Sequence, residues 1–396
     1  MKITSVEIYW GAYINVKINT DEGISGWGEC GLSYGASKAA GFGQCQDYAK
    51  MIIGMDPMNT EEIWNLLYRH TFWAMGGGAV TTAGISAIDT ACWDIKGKAL
   101  NVPVYQLLGG KTNKKLRTYA SQLQGGWRKS VEAHPTEAHC LFDPEEYADA
   151  VKDAMSEGYT AVKIDATQIP ADRARMGEIG NLGISNFGHI ERKDLDRYVA
   201  RIAAAREAGG KDLDILIETH SLLDTNTILE YAKELEPYNV MYLEEPTMPA
   251  NPALFKYISD HCRIPLATGE RSYTRWAYLK FFEDRSLSLV QPDLANTGGI
   301  TEIKKISDMA QCYDIGVQIH VCGGPIANAA SLHVETAIPN FIIHEEHMGN
   351  LFPIYKMAGK YHYEPVNGYY TVPELPGLGQ ELTDEYLSTC TKAVVD

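Results

Sequence analysis

The chain has 396 residues, a formal net charge of −16 and a hydrophobic fraction of 45%. That length suits two domains, or one large barrel with an appendage. No uncharged apolar run is long enough to span a bilayer, and no Lys/Arg cluster stands out, so membrane spans, anionic membrane surfaces and nucleic acid are not expected as partners.

The N-terminus MKITSVEIYW lacks the apolar stretch of a signal peptide, which leads us to expect a cytoplasmic location. The eight cysteines are scattered without a C-x-x-C, so neither a disulfide framework nor a zinc knuckle is expected. Residues 1–30 read as strands, ITSVEIYW, AYINVKINT and ISGWGEC, separated by turn signals at Gly11 and Asp21-Glu22-Gly23. Residues 37–110 read as helices, most clearly TTAGISAIDTACWDIKGKAL, which stops before Asn101-Val102-Pro103. We take 1–112 as an α+β domain with its linker near Gly109-Gly110-Lys111.

From about residue 116 the pattern alternates strand and helix. LRTYAS, YTAVKID, DILIE, VMYLE, PLATGE, LSLVQPD, GVQIH and NFIIHE are the expected strands. Helices are expected over 143–157, 225–236, 252–261, 274–284, 299–313 and 324–336, the first opening on an Asp143-Pro144 cap. Eight such units imply an α/β fold of the (β/α)₈-barrel type over 113–350, capped by the N-terminal domain. The tail, 351–396, reads as loop and should return to that domain. Two long loops, near 125–142 and 166–192, would lie at the catalytic mouth.

Glu218, Glu244, Glu270, Asp293, His320 and Glu345 follow one another at steps of 26, 26, 23, 27 and 25 residues. Most close a strand, so they converge on the mouth where barrel chemistry sits. Glu218, Glu244 and Glu270 would repel one another without a cation among them, and all-oxygen ligation points to Mg²⁺, then Mn²⁺. In Glu244-Glu245 only one side chain can face inward, and Glu244 is our choice, with Glu245 in support. Asp293 and His320, on adjacent strands, form an expected carboxylate–imidazole pair in which the acid orients a base. His220, two residues past Glu218, would bring a second imidazole to the metal, where two titratable groups divide acid and base work. Such a site can remove the α-proton of a carboxylate substrate to an enediolate and expel a β-hydroxyl.

GWGEC at 26–30, the helix–linker text at 84–110, YLEEP, TGERSYTRW, QPDLANTGGITEIKKIS and YTVPELPGLG together resemble the enolase superfamily, in its mandelate racemase-like branch. The resemblance spans nearly the whole chain. KELEPYNVMYLEEP and HVCGGPIANAASLHVE are most similar to acid-sugar dehydratases of the galactonate dehydratase type. It implies that loops near 24–35 and 70–78 close over the substrate, that His320 removes the α-proton and that His220 is the acid. It further implies that Glu345 steadies substrate or enediolate, that the product is a 2-keto-3-deoxy acid, and that the chain forms a homo-oligomer, from dimer to octamer. Lys163 is then a candidate contact for the substrate carboxylate, and Trp73 for the sugar. The chain departs from the pattern at Glu218, where Asp is usual, and at Ser221-Leu222, in place of Gly-Arg. It departs again at Lys163-Ile164-Asp165, where racemases carry Lys-x-Lys. The last difference argues against two-base racemisation. The alternatives are a cycloisomerase or epimerase using the same enediolate, a noncatalytic metal-binding relative, and a zinc hydrolase, whose H-x-H ligand pair is missing here.

Overall fold

The computed structural model describes residues 1–135, 139–171, 173, 188 and 190–396. Most of the loop expected near 166–192, and part of the one near 125–142, lie outside these residues.

Strands β1 (Ile3–Trp10), β2 (Ile14–Thr20) and β3 (Ser25–Cys30) form an antiparallel meander. Val6, Ile8, Ile14, Val16 and Ile18 are buried in one core with residues of helices Lys38–Ile52, Thr60–His70 and Ala79–Ala99. The glycines of Gly26-Trp27-Gly28 set how closely the last helix lies on β3. A Cβ on Gly28 would stand 1.8 Å from the Ala87 carbonyl oxygen, and one on Gly26 2.2 Å from that of Ala91. Only hydrogen fits in those gaps.

Eight short parallel strands follow: β4 (Leu116–Ser121), β5 (Ala161–Ile164), β6 (Asp214–Glu218), β7 (Tyr242–Glu244), β8 (Leu266–Thr268), β9 (Leu289–Val290), β10 (Gly316–Val317) and β11 (His344–His347). They neighbour one another in chain order, and β11 lies back against β4. The ring closes just before β11, where Val317 N donates to Asn340 O at 2.8 Å and Ile342 N to Val317 O at 2.9 Å. Tyr119, Leu216, Tyr242, Leu289 and Ile343 cluster as a buried apolar group. Gln318 ties it together through Tyr119 Oη at 2.7 Å and Tyr242 Oη at 2.6 Å.

The connecting helices include Pro144–Ser156, with the Asp143/Glu146 capping box, and Arg192–Gly209, Thr225–Leu235, Pro252–His261, Thr274–Asp284, Gly299–Gln311 and Pro325–Ala337. The eighth unit differs, since β11 leads into the 3-10 turn Met348–Leu351 and the short helix Pro353–Ala358 in place of a full-length helix. The tail is also more structured than a loop. It forms β12 (Tyr369–Tyr370) antiparallel to β4, the helix Asp384–Ser388, and β13 (Thr391–Val395), which joins the first sheet beside β1.

Helices Gly299–Gln311 and Pro325–Ala337 follow Gly298 and Gly324, which have no side chain to cap them. Carboxylates of the first domain do it instead. Asp89 accepts Thr301 N at 2.9 Å and Thr301 Oγ1 at 2.6 Å. Glu29 accepts Gly324 N, and Ala327 N at 3.1 Å. Negative groups at helix N-termini satisfy free N–H donors and the helix dipole together.

Candidate active site

The register of β6 and β7 sets Glu218 directly beside Glu244, and Glu270 follows two residues beyond β8. One carboxylate oxygen from each lies within 4.8 Å of the other two. Glu218 folds back on its own backbone: Oε1 accepts Thr219 N at 2.8 Å and His220 N at 2.6 Å. The turn that aims those donors needs left-handed backbone at His220 (φ 45°) and Ser221 (φ 55°), a cost that clusters at functional sites. Glu218 Oε2 remains a buried acceptor with no hydrogen bond. Convergent hard oxygens with one unsatisfied acceptor fit a divalent cation such as Mg²⁺ or Mn²⁺.

Lys163 lies among these carboxylates. Its ammonium is 3.1 Å from both oxygens of Glu244, 3.0 Å from Glu345 Oε1 and 3.8 Å from Glu218 Oε2. It is 1% exposed. The ammonium donates to both oxygens of Glu244, and Glu345 Oε1 stands at ion-pair distance, so Lys163 is paired with the protein's own acids. Glu345 is held by Ser121 Oγ at 2.6 Å and Val321 N at 2.9 Å. Burial alone would raise its carboxyl, but Lys163 foremost and then His320 hold it well below the usual range.

His320 and Asp293 meet across the ends of β10 and β9, with Nδ1 2.7 Å from Asp293 Oδ2. His320 Nε2 lies 2.9 Å from Glu270 Oε2, so the imidazole touches the carboxylate triad. On the other side His220 Nδ1 is 2.6 Å from Asp165 Oδ2 and 3.9 Å from Glu218 Oε1. Burial would depress His220, but the Glu218 charge and the Asp165 bond push it up to about 10. Glu245 turns away from the triad and pairs with Arg271.

The two halves of this architecture have known counterparts. The N-terminal domain of the mandelate racemase / muconate lactonizing enzymes matches residues 1–109, and the enolase C-terminal domain-like family matches residues 146–386. The chain belongs to the mandelate racemase / muconate lactonizing enzyme family. D-galactonate dehydratases of Pectobacterium atrosepticum and Ralstonia pickettii are each 32% identical, over 100% of this chain and 96% of theirs. A crystal structure of an enolase superfamily member from Salmonella Typhimurium superposes with a TM-score of 0.94 at 50% identity, covering 100% of both chains. An enolase of the mandelate racemase subgroup from Agrobacterium tumefaciens gives 0.84 at 26% identity, covering 100% of this chain and 99% of that one.

Within this family fold, one expected contact is not brought to the site. Trp73 stands 93% exposed on the turn Phe72–Ala74, its ring edge-on to Phe72. The turn ends in Gly76-Gly77-Gly78, and it is this glycine run that borders a cleft with Met248, Arg271 and Tyr273. Three side chains at the mouth escaped the sequence reading. Asp165 stands where racemases carry a second lysine, and its place two residues past Lys163, at a strand end, is the signal the sequence offers for it. Arg271 follows Glu270 and spans Glu245 and Ser221 Oγ, the latter at 3.2 Å. His347 lies two residues past Glu345; its Nδ1 accepts Gly349 N at 3.0 Å, which leaves the ring hydrogen on Nε2.

Proposed function

We propose that this chain is a Mg²⁺-dependent hydro-lyase that dehydrates an acid sugar, an aldonate or a close relative, to a 2-keto-3-deoxy acid. The observation that carries this reading is the pair of imidazoles flanking one carboxylate triad, His320 against Glu270 and His220 beside Glu218. The D-galactonate dehydratases similar over the whole chain support the substrate class.

Glu218, Glu244 and Glu270 would hold the cation. When bound, it supplies positive charge that acidifies the α-proton of a carboxylate substrate. Asp293 holds His320 Nδ1, so Nε2 is the nitrogen that takes this proton. Glu345, fixed by Ser121 and Val321, would steady the substrate or enediolate near the metal. His220 then gives a proton to the β-hydroxyl, which leaves as water, and the resulting enol ketonises. One proton is taken and one returned, with no net redox change. Lys163 contributes indirectly, by fixing Glu244 and Glu345.

The reading is tested by incubating the protein and Mg²⁺ with a library of mono- and diacid sugars. One substrate should lose a water and give a 2-keto product that reacts with semicarbazide. A product isomeric with its substrate would reject dehydration in favour of epimerisation or cycloisomerisation.

A further inference from the structure

His320 is oriented by an aspartate on the preceding strand, and the structure repeats that arrangement on the other side of the mouth. Asp165 stands one residue past β5 and His220 two past β6, the next strand in the ring. We propose that Asp165 is the positioning residue of His220, so that the site contains two strand-to-strand Asp–His pairs facing one carboxylate triad. The role given to His220 rests on the dehydratase reading above; the pairing itself does not.

The carboxylate of Asp165 is fixed at both ends. Oδ2 meets His220 Nδ1 at 2.6 Å. Oδ1 accepts Thr167 N at 2.9 Å, Thr167 Oγ1 at 2.8 Å and Gln168 N at 2.8 Å. Its backbone N donates to Gln124 Oε1 at 3.1 Å, which ties it to the loop after β4. A carboxylate receiving so many donors stays an acceptor, so the hydrogen of His220 belongs on Nδ1 and Nε2 is the nitrogen left for a substrate.

The loop that presents Asp165 is clamped as well. Arg201 is wholly buried between the rings of Tyr147 and Tyr198. Its guanidinium donates to the carbonyls of Ala166, Ile169 and Pro170 at 2.7, 2.8 and 2.7 Å, and to Phe142 O at 3.0 Å. Four carbonyl contacts from one rigid fork fix the backbone on which Asp165 stands. A surface ion pair would have neither the buried clamp nor the threefold donation to Oδ1. This arrangement also accounts for the missing second lysine: an acceptor at that position orients an imidazole on the next strand.

The test is Asp165→Asn, with Asp165→Glu as the conservative control, in the full chain with Mg²⁺. Dehydration should fall about 100-fold or more in kcat with KM within threefold. Exchange of the substrate α-proton in D₂O, the work of His320, should persist, and Mg²⁺ affinity by calorimetry should be unchanged. Asp165→Glu should recover part of the lost kcat. In ¹⁵N-histidine-labelled protein without substrate, a downfield Nδ1–H resonance should vanish in Asp165→Asn and in His220→Asn but survive in His320→Asn. The proposal is overturned if that resonance persists in Asp165→Asn, if kcat stays within threefold, or if α-proton exchange is lost along with dehydration. The resonance needs no substrate, so it decides the pairing even if no acid sugar is dehydrated.

Discussion

Glu218 is one methylene longer than the aspartate usual at its position, and the fold-back onto Thr219 N and His220 N takes up that length. Oε1 is held by the backbone and Oε2 is free for a cation. At this scale the roles of His320 and Lys163 separate cleanly. His320→Asn should lower turnover by about 10²–10⁴-fold, with Mg²⁺ affinity by calorimetry nearly unchanged. Residual activity within about tenfold, roughly 1.4 kcal/mol of barrier, would reject it as the base. Lys163→Met strands Glu244 and Glu345 without their buried counter-ion, a change that costs about 3–5 kcal/mol. The loss should be largest in metal-free protein and smaller with Mg²⁺, read from melting curves in EDTA and in Mg²⁺. Equal losses in both would mean that Lys163 does not share its carboxylates with the metal.

Among the elements, β3 and the helix Ala79–Ala99 make the tightest demand. A methyl group on Gly28 would have to displace the Ala87 carbonyl, so Gly28→Ala should destabilise the protein by about 3 kcal/mol or more, measured by denaturant unfolding. A loss below about 1 kcal/mol would show that helix and strand can part without penalty. Elements were also what the sequence showed best. The first barrel strand, Leu116–Ser121, and the helices Pro252–His261 and Thr274–Asp284 lie where hydrophobic period and turn residues put them. The eighth strand, His344–His347, starts later than NFIIHE suggested, because residues 340–342 are spent on closing the ring against β10. Acids at strand ends were legible as rungs, since spacing alone sets them. Asp165 was not legible as a partner of His220: 55 residues separate the two, and only the pairing of β5 with β6 joins them. The partners of Lys163 were not legible for a related reason. A strand-end cation in sequence says nothing about which carboxylates will surround it.

For the whole molecule, the contact between cap and barrel is electrostatic as well as apolar. Burial pushes the carboxyls of Asp89 and Glu29 up to about 7, against the N–H donors that lower them. In the unfolded chain both titrate near ~4, so the folded protein binds these protons more tightly. Their contribution to stability is complete below about pH 4 and is lost as the pH rises through about 7. Wild type should therefore melt progressively lower, relative to Asp89→Asn, between pH 5 and pH 8, by about 1.4 kcal/mol per pH unit at most. A difference that stays constant across that range would refute the assignment. Mg²⁺ at a hundred times its Kd should add about 2.7 kcal/mol, and Glu244→Gln should abolish this gain.

Helices Gly299–Gln311 and Pro325–Ala337 are each preceded by a glycine and borrow their caps from Asp89 and Glu29. For protein engineering, this makes the boundary near residue 110 a poor place to cut. A chimera that joins this barrel to another cap inherits two helices with bare N-termini unless the donor supplies acids at both positions. Grafting a new cap to change substrate range thus begins with two carboxylates that touch no substrate.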